Sequence, residues 1–306
     1  MPQCDLIIDS CCDLPAELAC QEGVHLLRFP YILEGETFED DLFQTTTAHD
    51  FYDAMRKGAA PSTAQLSIPV LTEAFSAAAA RGVPAVYLSF SSALSGSYDA
   101  AMLVRDQVLA EHPGFELHVV DTHLASVAEG LLVAEAISQR AKGLTAAELA
   151  DWAAEARFFV NEEFMVEDLD ALRRGGRIPA SVAVAGAALD VKPLLNIAAD
   201  GSLSLVGVAR GRKKGIKQLA ACYEKAVAAD MPKYVAIGNA DCPKDAERLK
   251  EALLKVDDGI MFIEGSIGPV IGSHVGPGML AVVFWGHDKR ESLSMVDRIA
   301  KRVKGE

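Results

Sequence analysis

Short apolar runs alternate with amphipathic stretches through the first half of the chain. Thr-x-x-Asp and Thr-x-x-Glu boxes beginning at Thr47 and Thr145 mark two helix starts. Such alternation predicts a parallel sheet with helices on both faces and binding residues at the carboxyl ends of its strands. The apolar runs predict buried strands at residues 6–8, 85–88 and 117–120, and residues 24–33 are expected to be extended. The periodic stretches predict helices at about residues 47–58, 67–82, 96–111, 124–142 and 146–157.

The pattern changes near residue 158, where an extended stretch begins. The pair Asp200-Gly201 predicts a hairpin turn. Helices are expected at residues 181–189, 212–229 and 243–255, with strands near 234–237, 260–264 and 280–285. The chain is therefore predicted to be a two-domain α/β protein. Residues 1–157 would form a parallel Rossmann-like sheet with flanking helices, and residues 158–306 a second α/β domain with a mixed sheet.

Composition excludes several classes of function. Among 306 residues the formal net charge is −14, which argues against general nucleic-acid binding, because that depends on Lys and Arg neutralising phosphates. The first residues lack the basic and apolar regions of a secretory signal, and no apolar stretch reaches the length of a membrane-spanning helix. A cytoplasmic location without stable membrane insertion is the expectation.

The six cysteines raise the possibility of a metal site or disulfides. No C-x-x-C pair occurs, and the adjacent Cys11 and Cys12 would make a poor chelate. Reduced structural thiols and no metal are therefore expected.

Two polar segments that lie far apart could together hold one acid group. Ser95 and Gly96 stand between a predicted strand and a predicted helix, where free backbone amides and the helix dipole favour an anion. A serine at a helix start also commonly serves only as a cap. Thr63 lies in a polar loop before the next predicted helix, and the alternative there is again capping, by Ser67.

His274 lies in the glycine-rich segment 272–278, for which a loop is expected. A lone histidine is usually a surface or internally hydrogen-bonded residue, but the glycines would allow a ligand to approach the backbone closely. The segment is not a Walker loop, since no Gly-Lys-Ser/Thr follows. A glycine-rich phosphate loop of a small-molecule kinase is a further possibility.

Two basic groups stand out in this acidic chain. Arg210 and Arg212 begin a run with Lys213 and Lys214, and Arg174 and Arg177 bracket two glycines. Such groups usually form a solvated helix start or turn. They could also contact a phosphate or an acidic partner.

Taken together, these segments resemble the DegV family of fatty-acid-binding proteins, the carrier subunits of bacterial fatty acid kinases. Five motifs occur in the family's order and span nearly the whole chain. They are Asp9-Ser10-Cys11-Cys12-Asp13-Leu14-Pro15, Thr63-Ala64-Gln65-Leu66-Ser67, Ser91-Ser92-Ala93-Leu94-Ser95-Gly96-Ser97-Tyr98, Arg174-Gly175-Gly176-Arg177-Ile178 with the following Val191-Lys192-Pro193-Leu194, and His274-Val275-Gly276-Pro277-Gly278.

The resemblance implies that a long-chain fatty acid lies in a buried tunnel between the two domains, with no other cofactor. Its carboxylate would meet the ligand residues Thr63, Ser95, Gly96 and His274. Catalysis is expected in a partner, an ATP-dependent fatty acid kinase subunit that forms the acyl phosphate. The arginines at positions 174, 177, 210 and 212 are candidates for contact with that partner or with phosphate. Departures from the family pattern in the loop 63–67 affect the expected acyl preference.

An enzymatic alternative uses the same residues. Ser95 would be the nucleophile of an acyl hydrolase, with His274 as its base and Asp121 orienting the imidazole. The G-x-S-x-G elbow of such enzymes is absent, because position 93 is alanine.

Overall fold

The computed structural model describes residues 3–179, 181–182, 190–228 and 232–292. Its strands are β1 (Asp5–Asp9), β2 (Val24–Leu27), β3 (Pro30–Leu33), β4 (Glu36–Glu39), β5 (Ser62–Thr63), β6 (Ala85–Ser89), β7 (Leu117–Asp121), β8 (Val160–Met165), β9 (Val191–Ile197), β10 (Leu203–Arg210), β11 (Tyr234–Asn239), β12 (Met261–Ser266) and β13 (Leu280–Trp285). Its helices are α1 (Ala16–Ala19), α2 (Ala48–Arg56), α3 (Ile68–Arg81), α4 (Ser97–Glu111), α5 (Ser126–Ala141), α6 (Ala146–Ala156), α7 (Asp170–Arg174), α8 (Arg212–Ala226), α9 (Pro243–Leu254) and α10 (Pro269–Val275). Most of the helix expected over 181–189 falls on residues 183–189, which lie outside the described residues.

The first sheet is parallel throughout, with strand order β2-β1-β6-β7. Successive residues of β1 face opposite sides, so Ile7 packs with α3 and α4 while Leu6 and Ile8 pack with α5 and α6. Strands covered on both faces carry nearly continuous apolar runs, which is why the sequence pattern was readable. The predicted parallel sheet with flanking helices is confirmed.

A small antiparallel sheet interrupts this half and was not predicted. The segment expected to be one extended stretch divides at Phe29, and only β2 joins the parallel sheet. β3 pairs instead with β4 and with the two-residue strand β5, in which Thr63 lies opposite Tyr31. This pairing fixes the position of Thr63.

The second sheet is mixed, with strand order β10-β9-β8-β13-β11-β12. β11 and β12 are parallel, and the remaining pairs are antiparallel. The hairpin expected at Asp200-Gly201 joins β9 to β10, with a backbone bond from the Ala198 N–H to the Ser202 carbonyl of 2.8 Å. Helices α8 and α9 cover one face. The predicted mixed sheet is confirmed.

The other face of the mixed sheet packs on α5, which comes from the first half of the chain. Val127 at the start of α5 lies so close to Gly238 and Gly265 that a Cβ at either would stand within 3.2 Å of it. Phe164 and Val283 of the mixed sheet belong to the same apolar core as the helices beneath the parallel sheet. Because the halves share one core, the domain boundary at 157/158 stays a prediction.

Two buried carboxyl groups tie together the segments that surround this junction. Asp9 accepts bonds from the Tyr87 hydroxyl at 2.8 Å and the Phe90 N–H at 2.9 Å. Asp13 accepts one from the Gly268 N–H at 2.9 Å and one from the Ser126 hydroxyl. The segments held are the loop after β6, the start of α5 and the start of α10.

Gly130 of α5 lies against the backbone of Cys12, so adding a methyl group at Gly130 should lower the stability of the protein. A Cβ at Gly130 would lie 2.4 Å from the backbone oxygen of Cys12. Alanine normally stabilises a helix interior relative to glycine by about 0.5–1 kcal/mol. Here we expect Gly130→Ala to lower the free energy of unfolding by about 1–3 kcal/mol, the usual cost of overpacking.

Chemical denaturation monitored by circular dichroism measures this difference. Gln139→Ala, on the same helix and half-buried, serves as control and should change the free energy of unfolding by less than about 0.5 kcal/mol. A Gly130→Ala protein as stable as the parent would show that α5 does not press on Cys12.

Candidate functional site

A cavity of about 160 Å³ lies between the start of α5 and the mixed sheet. This is roughly ten times or more the space that one water molecule needs. Its walls are mostly apolar, because three aromatic rings and several aliphatic side chains line it. The apolar lining residues are Phe29, Ala64, Phe90, Leu94, Ala125, Val127, Ala128, Phe164, Leu172, Ile197, Leu203, Val270, Ile271, Val275, Met279, Ala281 and Val283.

Both halves of the chain build these walls. Phe90 follows the parallel strand β6, whereas Phe164 and Ala281 face each other in register on β8 and β13. Ala125 and Ala128, at the start of α5, bring small side chains into the same space. Alanine on facing elements leaves the volume between them unfilled.

All four predicted ligand residues line this one cavity. Thr63 comes from β5, Ser95 and Gly96 precede α4, and His274 lies on α10. These segments are up to 211 residues apart in the chain. The structure thus brings together the set that the sequence indicated, while its role as a carboxylate site stays a prediction.

The imidazole of His274 is half-buried at the junction of two of these segments. Its Nε2 lies 2.8 Å from the Thr63 hydroxyl oxygen, and its Nδ1 has no hydrogen-bond partner among the described residues. Gly175 leaves room for the ring, because a Cβ there would lie 2.1 Å from Nδ1. Burial, together with the nearby Arg177 charge, lowers the pKa of His274 to about 4, so the ring is neutral near pH 7.

The expectation that His274 lies in a loop was wrong. It stands in helix α10, which Gly276 ends in a left-handed conformation at φ 74°. Gly276 and Gly278 therefore follow the carboxyl end of a helix, where free carbonyl groups repel phosphate, and Gly272 lies inside that helix. This removes the basis for a phosphate loop of a small-molecule kinase.

Ser95 and Gly96 lie at the start of α4, as predicted. The Ser95 hydroxyl oxygen accepts a long bond of 3.3 Å from the Ser97 N–H and lies 3.1 Å from the Ser97 hydroxyl. The Ser97 hydroxyl oxygen in turn accepts a bond of 3.0 Å from the Leu66 N–H. Sequence reasoning gave Ser97 no role. It is fully buried and fastens the loop that follows Thr63 to the start of α4.

The exposed Gln65 side chain lies over Gly96. A Cβ at Gly96 would stand 2.4 Å from Gln65 Oε1. Glycine at this position therefore lets the amide of Gln65 approach the start of α4, and both residues line the cavity.

The four arginines do not share one environment. Arg177 lines the cavity beside His274 and donates from Nε to the Leu94 carbonyl at 3.1 Å. Arg174 and Arg210 are exposed. Arg212 is turned inward to ion pairs with Asp245 and Glu167, so its guanidinium is engaged within the chain.

The geometry does not assemble the acyl-hydrolase alternative. Among the described residues no hydrogen bond joins Ser95 to His274. Asp121 accepts from the backbone of Ser92 at 3.2 Å, and its other oxygen lies 3.1 Å from His123 Nε2. The carboxylate that would orient the base therefore serves a different histidine.

Several lining residues were not found from the sequence. Phe29, Phe90 and Phe164 follow or occupy apolar strands, so their pattern is the same as that of core residues. Glu162 also lines the cavity and is buried. Asn161 and Glu163 flank it in β8, so the sequence pattern did not single it out.

Within the residues that the structure describes, no helix is both long enough and apolar enough to cross a bilayer. Over the same residues, no group of three or more His, Cys, Asp or Glu side chains is arranged to hold a metal ion.

Comparison with known proteins gives consistent matches. The profile of a family described as "Uncharacterised protein, DegV family" matches residues 3–286. A DegV domain-containing protein of Clostridium perfringens is 34% identical over 284 residues, which make up 93% of this chain and 98% of that protein.

Solved structures share the fold. A DegV-family protein of Ruminococcus gnavus, refined with vaccenic acid, has a TM-score of 0.82 at 22% identity and covers 93% of this chain and 100% of its own. At that identity the likeness concerns the fold alone. A Thermus thermophilus DegV-family protein, whose structure concerns fatty acid binding, has a TM-score of 0.76 at 27% identity and covers 94% of this chain and 100% of its own.

The low pKa of His274 predicts a specific dependence of stability on pH. In the unfolded chain a histidine titrates near pH 6.5, whereas in the folded chain this one titrates at about 4. Between these values the unfolded state binds more protons, so the free energy of unfolding falls as pH decreases from about 6.5 to about 4. The free energy of unfolding should therefore fall less between pH 7 and pH 4.5 in the His274→Gln variant than in the parent, by about 2–3 kcal/mol.

Urea denaturation of both proteins at the two pH values measures this difference. Other titrating groups contribute equally to both proteins and cancel in the comparison. The same pH dependence in parent and variant would contradict a neutral, buried imidazole.

Proposed function

The chain belongs to the DegV family. On that basis we propose that it binds a long-chain fatty acid in the cavity between the start of α5 and the mixed sheet. The carboxylate would lie at the end formed by Thr63, Ser95, Gly96 and His274. The observation that carries the proposal is the gathering of these four polar groups, from three distant segments, in the wall of one mostly apolar cavity. Fatty acid binding by the Thermus thermophilus relative supports it.

The apolar walls supply the main driving force. Each buried methylene contributes roughly 0.8 kcal/mol, so a chain of about fourteen gains on the order of 11 kcal/mol before ordering costs. A buried carboxylate without partners would cancel several kcal/mol of that gain. Affinity therefore depends on hydrogen-bond donors at the carboxylate end.

The polar end of the cavity contains suitable donors. The hydroxyl groups of Thr63 and Ser95 and the backbone N–H of Gly96 are neutral donors, and a neutral imidazole can donate one more N–H. Arg177 adds a positive charge beside His274. Its place in the wall makes it a better candidate for attracting the carboxylate than for contacting a distant partner.

We further propose that the protein carries its ligand to a catalytic partner. None of the groups described at the cavity resembles an ATP site, and the family resemblance points to an ATP-dependent fatty acid kinase subunit. The exposed Arg174 and Arg210 are the candidates for contacting that partner or the phosphate. Arg212 is a weaker candidate because its ion pairs occupy it.

The purified chain is expected to release a long-chain fatty acid into an organic extract, detected by mass spectrometry. Ser95→Ala, Thr63→Ala and His274→Ala should each weaken fatty acid binding by about 1–3 kcal/mol, because each removes a hydrogen bond to a charged group. Fluorescence displacement at equilibrium measures the three affinities.

Ser92→Ala is the matched control, since Ser92 is exposed on the same loop and does not line the cavity. Its affinity should equal that of the parent. Protein that is free of lipid and takes up no fatty acid would refute the function. Binding that is unchanged in all three variants would refute only the carboxylate site.

Acyl phosphate should form only when a fatty acid kinase subunit, ATP and the loaded chain are present together. Hydroxylamine trapping, read as hydroxamate, measures the product. The double variant Arg174→Glu/Arg210→Glu should lower the rate roughly fivefold at low salt and less at high salt, because exposed charges act through screened attraction.

Lys142→Glu provides the control for charge reversal. Lys142 is exposed and follows α5, roughly 20 Å along that helix from the cavity at 1.5 Å per residue. It should leave the rate unchanged. Equal rates for the parent and the double variant would exclude these arginines from partner contact.

A further inference from the structure

A buried ion pair stands in the wall of the apolar cavity. Glu162 lines the cavity from β8, and its side chain is only 3% exposed. Lys289 Nζ lies 3.2 and 3.0 Å from the two carboxylate oxygens of Glu162 and 3.3 Å from the Ile197 carbonyl. The Ile197 N–H donates to Glu162 at 2.7 Å. The carboxylate is therefore held from two sides.

This ion pair lies away from the edge of the mixed sheet at which His274 stands. β8 and β12 run in the same direction, so α10, which follows β12 and carries His274, begins at the edge of the sheet where β8 ends. Glu162 precedes that end of β8 by three residues. At 3.3–3.4 Å per residue, Glu162 lies about 10 Å along the strand from that edge. Phe164, which also lines the cavity, stands between the two positions.

The lysine comes from a segment beyond the family match, which ends at residue 286. Its turn, Lys289–Ser292, is fastened to the first half of the chain by the neighbouring Arg290. Arg290 Nη1 donates to Glu155 at 3.1 Å, and its guanidinium carbon lies 4.2 Å from the centre of the Phe158 ring. The segment thus supplies the cation that pairs with Glu162 in the cavity wall.

We propose that the Glu162–Lys289 ion pair closes the distal end of the acyl cavity and sets the longest fatty acid that the protein accepts. This inference rests on the proposed function. An apolar floor can repack around one more methylene, but a chain that separates this pair would pull two opposite charges apart in a largely buried site, which is costly. The affinity of the parent should therefore rise with each methylene and then fall sharply.

Equilibrium displacement with a series of saturated acids of increasing length gives the chain length at which the affinity drops. The double variant Glu162→Ala/Lys289→Ala removes both charges together, so that neither is left unpaired. In this variant we expect the affinity to drop only at longer acids. Each additional methylene that becomes buried should raise the affinity roughly fourfold. Acids shorter than the parent's limit should bind about equally to both proteins.

The variant Glu162→Gln/Lys289→Met keeps the side-chain size and replaces the first variant if that one fails to fold. It should also admit longer acids, since its side chains can move without separating charges. Lys250→Ala/Glu264→Ala removes a 2.8 Å ion pair outside the cavity and should keep the parent's length profile.

Each outcome points to one conclusion. A parent protein that binds no fatty acid removes the proposed function and this inference together. A parent that binds fatty acids, with folded charge-removed variants whose limit is unchanged, overturns the inference alone. A limit that moves to longer acids in these variants, but not in the Lys250→Ala/Glu264→Ala control, supports it.

Discussion

The buried carboxyl groups of Asp9 and Asp13 hold the walls of the cavity in place. Asp9 binds the backbone at Phe90, and Asp13 binds the backbone at Gly268 and the Ser126 hydroxyl. Burial raises the pKa of Asp9 to about 6 and that of Asp13 well above its usual range, while these hydrogen bonds lower both. Without these bonds the carboxyl groups would lie unsatisfied in the core, which is costly. The segments they join therefore cannot separate freely.

The cavity is a consequence of that arrangement. α5 leaves the parallel sheet and packs on the mixed sheet, so one helix serves two layers. Small alanine side chains on α5 and β13 leave part of the space between the two layers unfilled. His274, Thr63 and Arg177 line one part of the space, and Glu162, paired with Lys289, lines it from β8. Such a lining suits the proposed ligand, a mostly apolar molecule with one acidic group.

The sequence determined the elements that depend on local pattern. Both sheets were recoverable because buried parallel strands carry continuous apolar runs and because Asp200-Gly201 specifies a tight turn. The start of α4 at Ser95 and Gly96 was recoverable for the same reason, since helix starts have a local chemistry. No single pattern indicated that Thr63 and His274 belong to the same site. The order of the five motifs did so, because it matches the order in the DegV family.

Only the tertiary structure decided the features that need two distant segments. The loop expected around His274 is a helix, because α10 is stabilised from outside itself, for example by the Tyr52 hydroxyl bond to Ile267 at 2.6 Å just before the helix. Arg177 and Arg212 look alike in sequence, yet one lines the cavity and the other is engaged by Asp245. Glu162 and Lys289 are 127 residues apart. Periodicity records which residues are buried, but burial does not say against what, and contact between distant residues is what builds this site.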